Sequence, residues 1–459
     1  MKQTTTWLAA GIFFLAILAG EPATAQKKRT TGSGFSAAAR PRNLSDSALL
    51  DLVQKQTFRY FWDFAHPVSG LARERSNNSF SYGDEVVTTG GTGFGVMAVI
   101  VASERKWITR DSAARFLLKM VKFLSKADSY HGVFPHWLNG ATGKTIPFSR
   151  KDDGADLVET SYLFQGLLCA AQYFDADNDT ETSLRNRIGW LWNEIEWNWF
   201  TRDGQDVLYW HWSPNNGWAM NHPIRGYNEC LITYVLAAAA GDRYGVSPAV
   251  YHGGWAQSDN FKNGKDFYGI PLPLGFDYGG PLFFSHYSFL GLDPSGLKDR
   301  YADYWEQNRN QTLINREHCV RNPGHFKGYG PNCWGLTASD TYNGYDAHSP
   351  TNDHGTITPT AALSAFPYTP EYSMQALRHF YDDLGDKIWT EYGFADAFNE
   401  SQNWYADSHL AIDQGPIIVM IENYRSGLLW KLFMQNPDVQ RGLQRLGFFY
   451  PSGKTRRVK

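Results

Sequence analysis

Several stretches of this chain turn apolar on every side just after a loop rich in glycine or carboxylate. That recurrence constrains the fold more than any other feature. They start near Gly93, Asp156, Gly226, Thr358 and Gly415. A helix that is apolar all round has to be buried. Between these lie ordinary amphipathic stretches. Residues 47–62 carry Leu49, Leu50, Val53, Phe58, Phe61 and Trp62 as a helical stripe behind candidate caps at Ser45 or Ser47, and residues 111–126 repeat the pattern with Ala113, Phe116, Leu117, Met120, Val121 and Leu124. Further helices are expected at about 92–105, 156–174, 180–196, 227–241, 299–320, 359–366, 371–384, 415–434 and 437–446. With one more start near Pro281, the buried kind recurs roughly every 55–75 residues and gives six pairs. The pattern predicts an all-α (α/α)6 barrel: an inner ring of buried helices, an outer ring of amphipathic ones, and the loops before the inner helices gathered at one end. No long stretch alternates with period two. Short strand-like pieces such as Val207-Leu208-Tyr209-Trp210 are expected as hairpins in loops.

The N-terminus reads as a separate unit. Lys2, the apolar run from Trp7 to Leu18 and the small residues Ala23-Thr24-Ala25 have the form of a secretory signal cleaved near Ala25. The run is shorter than the about 20 apolar residues that span a bilayer. Residues 26–42 are expected as a disordered lead-in and 43–452 as one domain. The expected product is a monomer exported to the periplasm or beyond, without stable membrane association once the signal is removed. A net charge of −3 without a basic stripe argues against nucleic acid as a partner. Cys169, Cys230, Cys319 and Cys333 form no CxxC pair. Export permits disulfides, and Cys319 with Cys333 is the one local pair, whereas Cys169 and Cys230 fall in apolar helical patterns. No HExxH and no nucleophile elbow occur, and the histidines lack metal-ligand spacing. The Gly-rich run Thr89 to Gly95 has neither the preceding strand nor the Lys-Ser/Thr of a phosphate loop. No metal and no cofactor are expected.

The chemistry then rests on acids and aromatics. The chain holds 17 Trp, 25 Tyr and 29 Phe, and flat apolar rings with polar edges suit pyranose faces as well as protein cores. Glycosidic bonds are usually cleaved by two carboxyl groups, one protonating the leaving oxygen and the other activating water or attacking the anomeric carbon. Three constellations carry acids into the inner helices. In Asp152-Asp153-Gly154-Ala155-Asp156-Leu157-Val158-Glu159, Asp156 and Glu159 are spaced to share a helix face, either as chemistry or as helix-end charges. Glu229, in Ile224-Arg225-Gly226-Tyr227-Asn228-Glu229, stands alone on an apolar helix, which is costly unless the group is paired or functional. Arg225 is its candidate salt-bridge partner. Asp413 immediately precedes the apolar Ile417-Ile418-Val419-Met420 and reads as a base or as a helix cap. Asp396 is a further loop acid. Candidate sugar contacts are His136, Trp210, His211, Trp212, Arg225, Tyr227, Trp334 and Trp404.

Taken together, the blocks Thr88-Thr89-Gly90-Gly91-Thr92-Gly93-Phe94-Gly95, Asp152 to Ser161, Ile224 to Glu229 and Ile412-Asp413-Gln414-Gly415-Pro416 resemble the glucoamylase-like domain of glycoside hydrolase family 144, over about residues 47–450. The resemblance implies an (α/α)6 barrel and endo-β-1,2-glucanase activity, with anomeric inversion and short sophoro-oligosaccharide products. It also implies functional roles for Asp156, Glu159 and Glu229. Some relatives release sophorose from chain ends instead. A polysaccharide lyase and a non-catalytic glycan-binding protein on the same barrel are the remaining alternatives. The expected acid is Glu229, with Asp413 as the base across from it.

Overall fold

The computed structural model describes residues 40–77, 83 and 85–451. The expected signal and most of the lead-in lie outside the described residues. The last lead-in residues lie against the body of the molecule, where Arg40 pairs with Asp386 at 2.7 Å and the Pro41 carbonyl accepts from the Tyr381 hydroxyl.

The described chain is rich in helix: α1 Asp46–Trp62, α2 Thr89–Glu104, α3 Arg110–Leu124, α4 Leu157–Tyr173, α5 Asp179–Asn193, α6 Leu231–Ala239, α7 Tyr304–Arg321, α8 Pro359–Leu363, α9 Pro370–Arg378, α10 Gly385–Ile388, α11 Ala411–Ser426, α12 Leu428–Met434 and α13 Pro437–Arg445. Burial separates two kinds. Helix α2 is buried from Thr89 to Ser103, α6 throughout, and α4 over all but its last turn. In contrast, α3 buries one stripe, Ala113, Ala114, Leu117, Met120, Val121 and Leu124. Buried helices touch buried helices (α2 with α4 and α11, α4 with α6, α8 with α11), and amphipathic α3 packs on α5 and α1 on α11. No described helix is long and apolar enough to cross a membrane.

Glycine lets the inner helices meet backbone to backbone. A Cβ on Gly93 would fall 2.1 Å from the Tyr162 carbonyl oxygen, and one on Gly166 would fall 2.1 Å from the Gly93 carbonyl oxygen. On its other flank, a Cβ on Gly91 would lie 2.6 Å from Ala411 Cβ, and one on Gly415 would lie 2.4 Å from Phe94 Cβ. The Gly-rich run is therefore a packing surface that seats α4 and α11 directly on α2.

The expectations fail in places. Around Pro281 the chain forms short 3-10 turns, Leu282–Ser285 and Ser288–Leu290, instead of a regular helix. Residues 415–434 divide into α11 and α12, because Gly427 takes a left-handed conformation (φ 69°) and ends the first helix. The piece 207–210 is not a regular strand, but it pairs antiparallel with 222–224 through a single bridge, Tyr209 to Pro223. The strand is His211–Trp212, and it pairs with the distant Ala155–Asp156. A longer hairpin occurs at Lys262–Phe267 and Ile270–Leu274, with a register shift between Lys262 and Lys265, turning on Tyr268 and Gly269 with positive φ. All four cysteines are free and buried, so Cys319 and Cys333 are not bridged.

Candidate active site

Asp156 ends its short strand and caps α4. Its Oδ1 accepts from the Val158 and Glu159 amides at 3.0 and 2.9 Å, satisfying two orphan donors of the first turn. Its Oδ2 lies 3.0 Å from His136 Nδ1 and 3.7 Å from His211 Nε2. The two readings of this residue thus coexist on its two oxygens. Burial pushes the carboxyl up, but the His136 hydrogen bond, both imidazoles and the backbone donors outweigh it and hold Asp156 below its ordinary range. In return His136, although burial opposes its charge, is raised to about 9 by Glu159, Asp156 and Asp152. Glu159 turns to a different helix: its Oε2 accepts from the Gly90 amide at 2.7 Å, satisfying a donor in the first turn of α2, and burial raises its pKa.

Glu229 is buried, and its Oε2 meets no hydrogen-bond partner among the described residues. It stands in the turn before α6, not on the helix, and its carbonyl accepts from the Ser288 hydroxyl. Desolvation, followed by the charges of Glu159 and Asp156, lifts its carboxyl to about 8 despite a backbone hydrogen bond. Arg225 is exposed and makes no ion pair with Glu229 among the described residues.

A second group of acids gathers around Asp413. This residue lies inside the first turn of α11, whose cap position is Leu410, so it is not the cap. No described donor reaches either of its oxygens; the group beside it is the Asp396 carboxyl. Asp396 accepts the Asp340 amide at 2.7 Å on Oδ2. Asp340 is gripped by Arg75 at 3.1 and 3.0 Å and by the Ser408 hydroxyl at 2.5 Å, while Arg75 also holds Glu74 at 2.8 Å. Burial and then the Asp340 charge lift Asp396 to about 8. Burial and then Asp396 push Asp413 well above the carboxylate range.

Burial, then the charges of Asp413, Tyr345, Glu159 and Glu229, hold the Tyr287 phenol well above its usual value, so Tyr287 lies within electrostatic reach of both groups. Tyr162, packed on Tyr287 with ring centroids 5.6 Å apart, carries a buried hydroxyl without a partner near Glu229 and Glu159.

Other sequence candidates are scattered. His211 reaches the acids, 3.3 Å from Asp152, and burial drives its pKa down to about 3. Trp210 is buried in a stack with His211 and His222. Trp212, alternating to the other side of the strand, joins His131 and Trp199. Tyr227 and Trp334 are sealed in the core, Tyr227 against Trp255 and Phe261. Trp404 is half-buried on a hairpin with Phe398–Asn399. Sequence reasoning missed Asp152, which burial and Asp156 raise to about 7 and which stood inside a block already singled out. It also missed Asp340, Arg75, Tyr162 and Tyr287, which no local pattern marks. His136, Asp152 and Asp156 lie close enough to share a cation, with ligand atoms within 4.8 Å, but the His136–Asp156 hydrogen bond already accounts for that approach.

Comparison with known proteins gives a consistent result. The Glycoamylase family, described as "Putative glucoamylase", matches residues 221–437. A solved structure under the same description from Bacteroides uniformis is 64% identical, with a TM-score of 0.87, covering 90% of this chain and 99% of that one. An endo-β-1,2-glucanase from Chitinophaga pinensis, solved with sophorotriose and glucose, is 57% identical with a TM-score of 0.87, covering 89% of this chain and 99% of that one. An exo β-1,2-glucooligosaccharide sophorohydrolase (non-reducing end) from Parabacteroides distasonis is 46% identical over 424 residues, 88% of this chain; the chain spans 58% of that protein's length.

Proposed function

Because the chain belongs to glycoside hydrolase family 144, the glucoamylase-like β-1,2-glucanases, we propose that it hydrolyses β-1,2-glucan at internal bonds, with inversion, to short sophoro-oligosaccharides. The observation that carries this reading is Glu229, a buried carboxyl whose Oε2 meets no partner among the described residues and whose pKa near 8 keeps its proton at neutral pH. That proton passes to the glycosidic oxygen as the bond breaks. Asp413, from the first turn of α11, is the base of this reading: once ionised, it takes the proton of the attacking water, directly or through a substrate hydroxyl. Inverting sites need carboxyl groups about 6.5–9.5 Å apart to seat that water, and drawing one acid from the turn before α6 and the other from the first turn of α11 supports a gap of that kind. The charged pair His136–Asp156 and the Tyr162 hydroxyl are suited to binding sugar hydroxyls.

The reading includes a closed (α/α)6 barrel, in which the short turns 282–290 take the place of the sixth inner helix. They are supported in this by contacts to α6 and α11 and by the Tyr368 hydroxyl bound to the Ser285 carbonyl. It also includes export, on the strength of the N-terminal apolar run, which sequencing the N-terminus of the protein recovered from cells would test. The Parabacteroides relative favours a second reading, release of sophorose from chain ends. A time course on long β-1,2-glucan separates the two. Internal cleavage lowers viscosity early and yields a ladder of oligosaccharides, whereas sophorose alone from the first time point establishes the exo mode. No product from β-1,2-glucan would overturn both. Proton NMR of the newly formed reducing end tests the stereochemistry: a first-formed β anomer rules out inversion.

A further inference from the structure

The strand His211–Trp212 has two faces, and the acids take up one of them. His211 Nε2 lies 3.3 Å from Asp152 and 3.7 Å from Asp156, while Trp212 points the other way. There it joins a row of aromatic rings. Trp212 stands edge-on to Trp199, with centroids 6.0 Å apart, and edge-on to His131 at 5.1 Å. His131 lies flat on Trp199, at 3.8 Å and 14°. Trp218 continues the row 6.4 Å from Trp199, and Tyr130 flanks Trp212 at 6.2 Å. The row is braced. His131 Nδ1 lies 2.8 Å from the Glu196 carboxylate, and the Glu196 amide donates to the His131 carbonyl at 2.9 Å. Gly132, with φ 75°, lets this segment close on its neighbour, since a Cβ there would fall 2.1 Å from the Glu194 carbonyl oxygen.

Rings that only anchored a loop would be covered. Trp199 keeps 40% of its surface in water, and Trp212, Trp218, His131 and Tyr130 are each half-buried. A contiguous exposed apolar surface marks a binding site, and flat rings with polar edges suit the C–H faces of pyranoses. The turn between Trp212 and Trp218 adds the exposed amides of Asn215 and Asn216 as partners for hydroxyls. The occupant follows from where the row leads. Its His131 is five residues from His136, which is bonded to Asp156 at 3.0 Å, so the two Cα atoms lie at most about 18 Å apart. Its Trp212 adjoins His211. One polysaccharide chain can therefore touch the row and the acids together. We propose that Trp199, with His131, Trp212 and Trp218, forms a second glucan-binding site outside the reaction centre, holding one part of a long β-1,2-glucan while the acids act on another. The linkage of that glucan rests on the hydrolase reading; the aromatic platform does not.

Footprinting tests the site on the whole protein. In Glu229→Gln, where cleavage is slowed, oxidation by N-bromosuccinimide followed by peptide mapping reads each indole separately. Long β-1,2-glucan should slow the oxidation of Trp199 about fivefold or more and leave Trp190, exposed on α5, at its free rate. Equal oxidation of Trp199 with and without glucan overturns the proposal. If the parent releases sugar from β-1,2-glucan while Trp199 stays unprotected, this site falls and the hydrolase reading stands. If Trp199 is protected and the parent releases nothing, the hydrolase reading falls and the site stands. Protection that grows with protein concentration in the absence of glucan assigns the row to a second copy of the chain and also overturns the proposal. Kinetics supply a second readout. Trp199→Ala should raise KM on long glucan about tenfold more than KM on short sophoro-oligosaccharides, and Trp199→Phe should restore most of that difference. Equal changes at both lengths overturn the proposal. Should Trp199→Ala fail to fold, the footprint, which leaves Trp199 in place, decides alone.

Discussion

Asp156 and Asp413 occupy matching places, one capping an inner helix and the other within the first turn of another, yet burial leaves them in opposite states. Asp156 is held low because one oxygen takes two backbone amides and the other takes an imidazole. Asp413 is pushed high because nothing donates to it and a second carboxyl stands beside it. The favourable field of a helix N-terminus is worth typically 0.3–1 kcal/mol, too little to decide between them. The donors decide. One group is thus a charged acid–imidazole pair, and the other a pair of acids pushed up by burial and by each other's neighbours. Glu229, whose Oε2 meets no partner among the described residues, keeps its own proton despite one backbone hydrogen bond.

The sharpest break of this comparison is Glu229→Gln. It removes the proton assigned to the leaving oxygen and should lower kcat by about 10²-fold or more, with an unchanged circular dichroism spectrum. Near-parental turnover would return the acid role to the Asp152–Asp156–Glu159 side.

The same substitution sharpens the comparison through stability. The folded pKa of Glu229 lies near 8, above its ordinary 4.5. The folded state therefore binds a proton that the unfolded chain releases between those values. Stability from this site is complete below about pH 4.5 and is lost as pH rises through 8. Urea unfolding at pH 5 and pH 9 should show the parent losing up to about 4 kcal/mol more than Glu229→Gln across that interval. Parallel losses would mean that Glu229 ionises freely.

Asp156→Asn should have a smaller effect. Asn caps as well as Asp, so the helix end survives while the charge that raises His136 is gone. We expect roughly tenfold lower kcat/KM, about 1.4 kcal/mol, and an NMR titration of His136 that falls from about 9 toward its ordinary value. An unmoved imidazole would mean that Glu159 and Asp152 suffice. Least affected should be the fold of Asp156→Ala, which loses the cap at a cost of about 1 kcal/mol, read as a drop in unfolding midpoint beyond that of Asp156→Asn.

What the sequence discloses follows the range over which each cause acts. Helix order and the identity of the buried helices are legible because an all-apolar surface is written into consecutive residues. So are Asp156, Glu159, Glu229 and Asp413, since acids that interrupt apolar runs are locally conspicuous. The turns after Pro281 are not, because residues 282–292 are as apolar as a helix and only their glycine-bounded packing breaks them up. Neither is the Arg75–Asp340 clamp, whose members are 265 residues apart. Trp334 and Tyr227 mislead for the converse reason, since an aromatic near polar loops has the same local signature whether it lines a cleft or fills the core.

The glycine face of α2 has a bearing on how such a catalyst can vary. Helices α4 and α11, which carry Asp156 and Asp413, are each seated on α2 with main chain or Cβ atoms in contact. The spacing between the starts of those two helices is thus set by polypeptide thickness, a dimension that ordinary side-chain drift cannot alter, much as a machinist's spacer fixes a gap regardless of how the surrounding parts are finished.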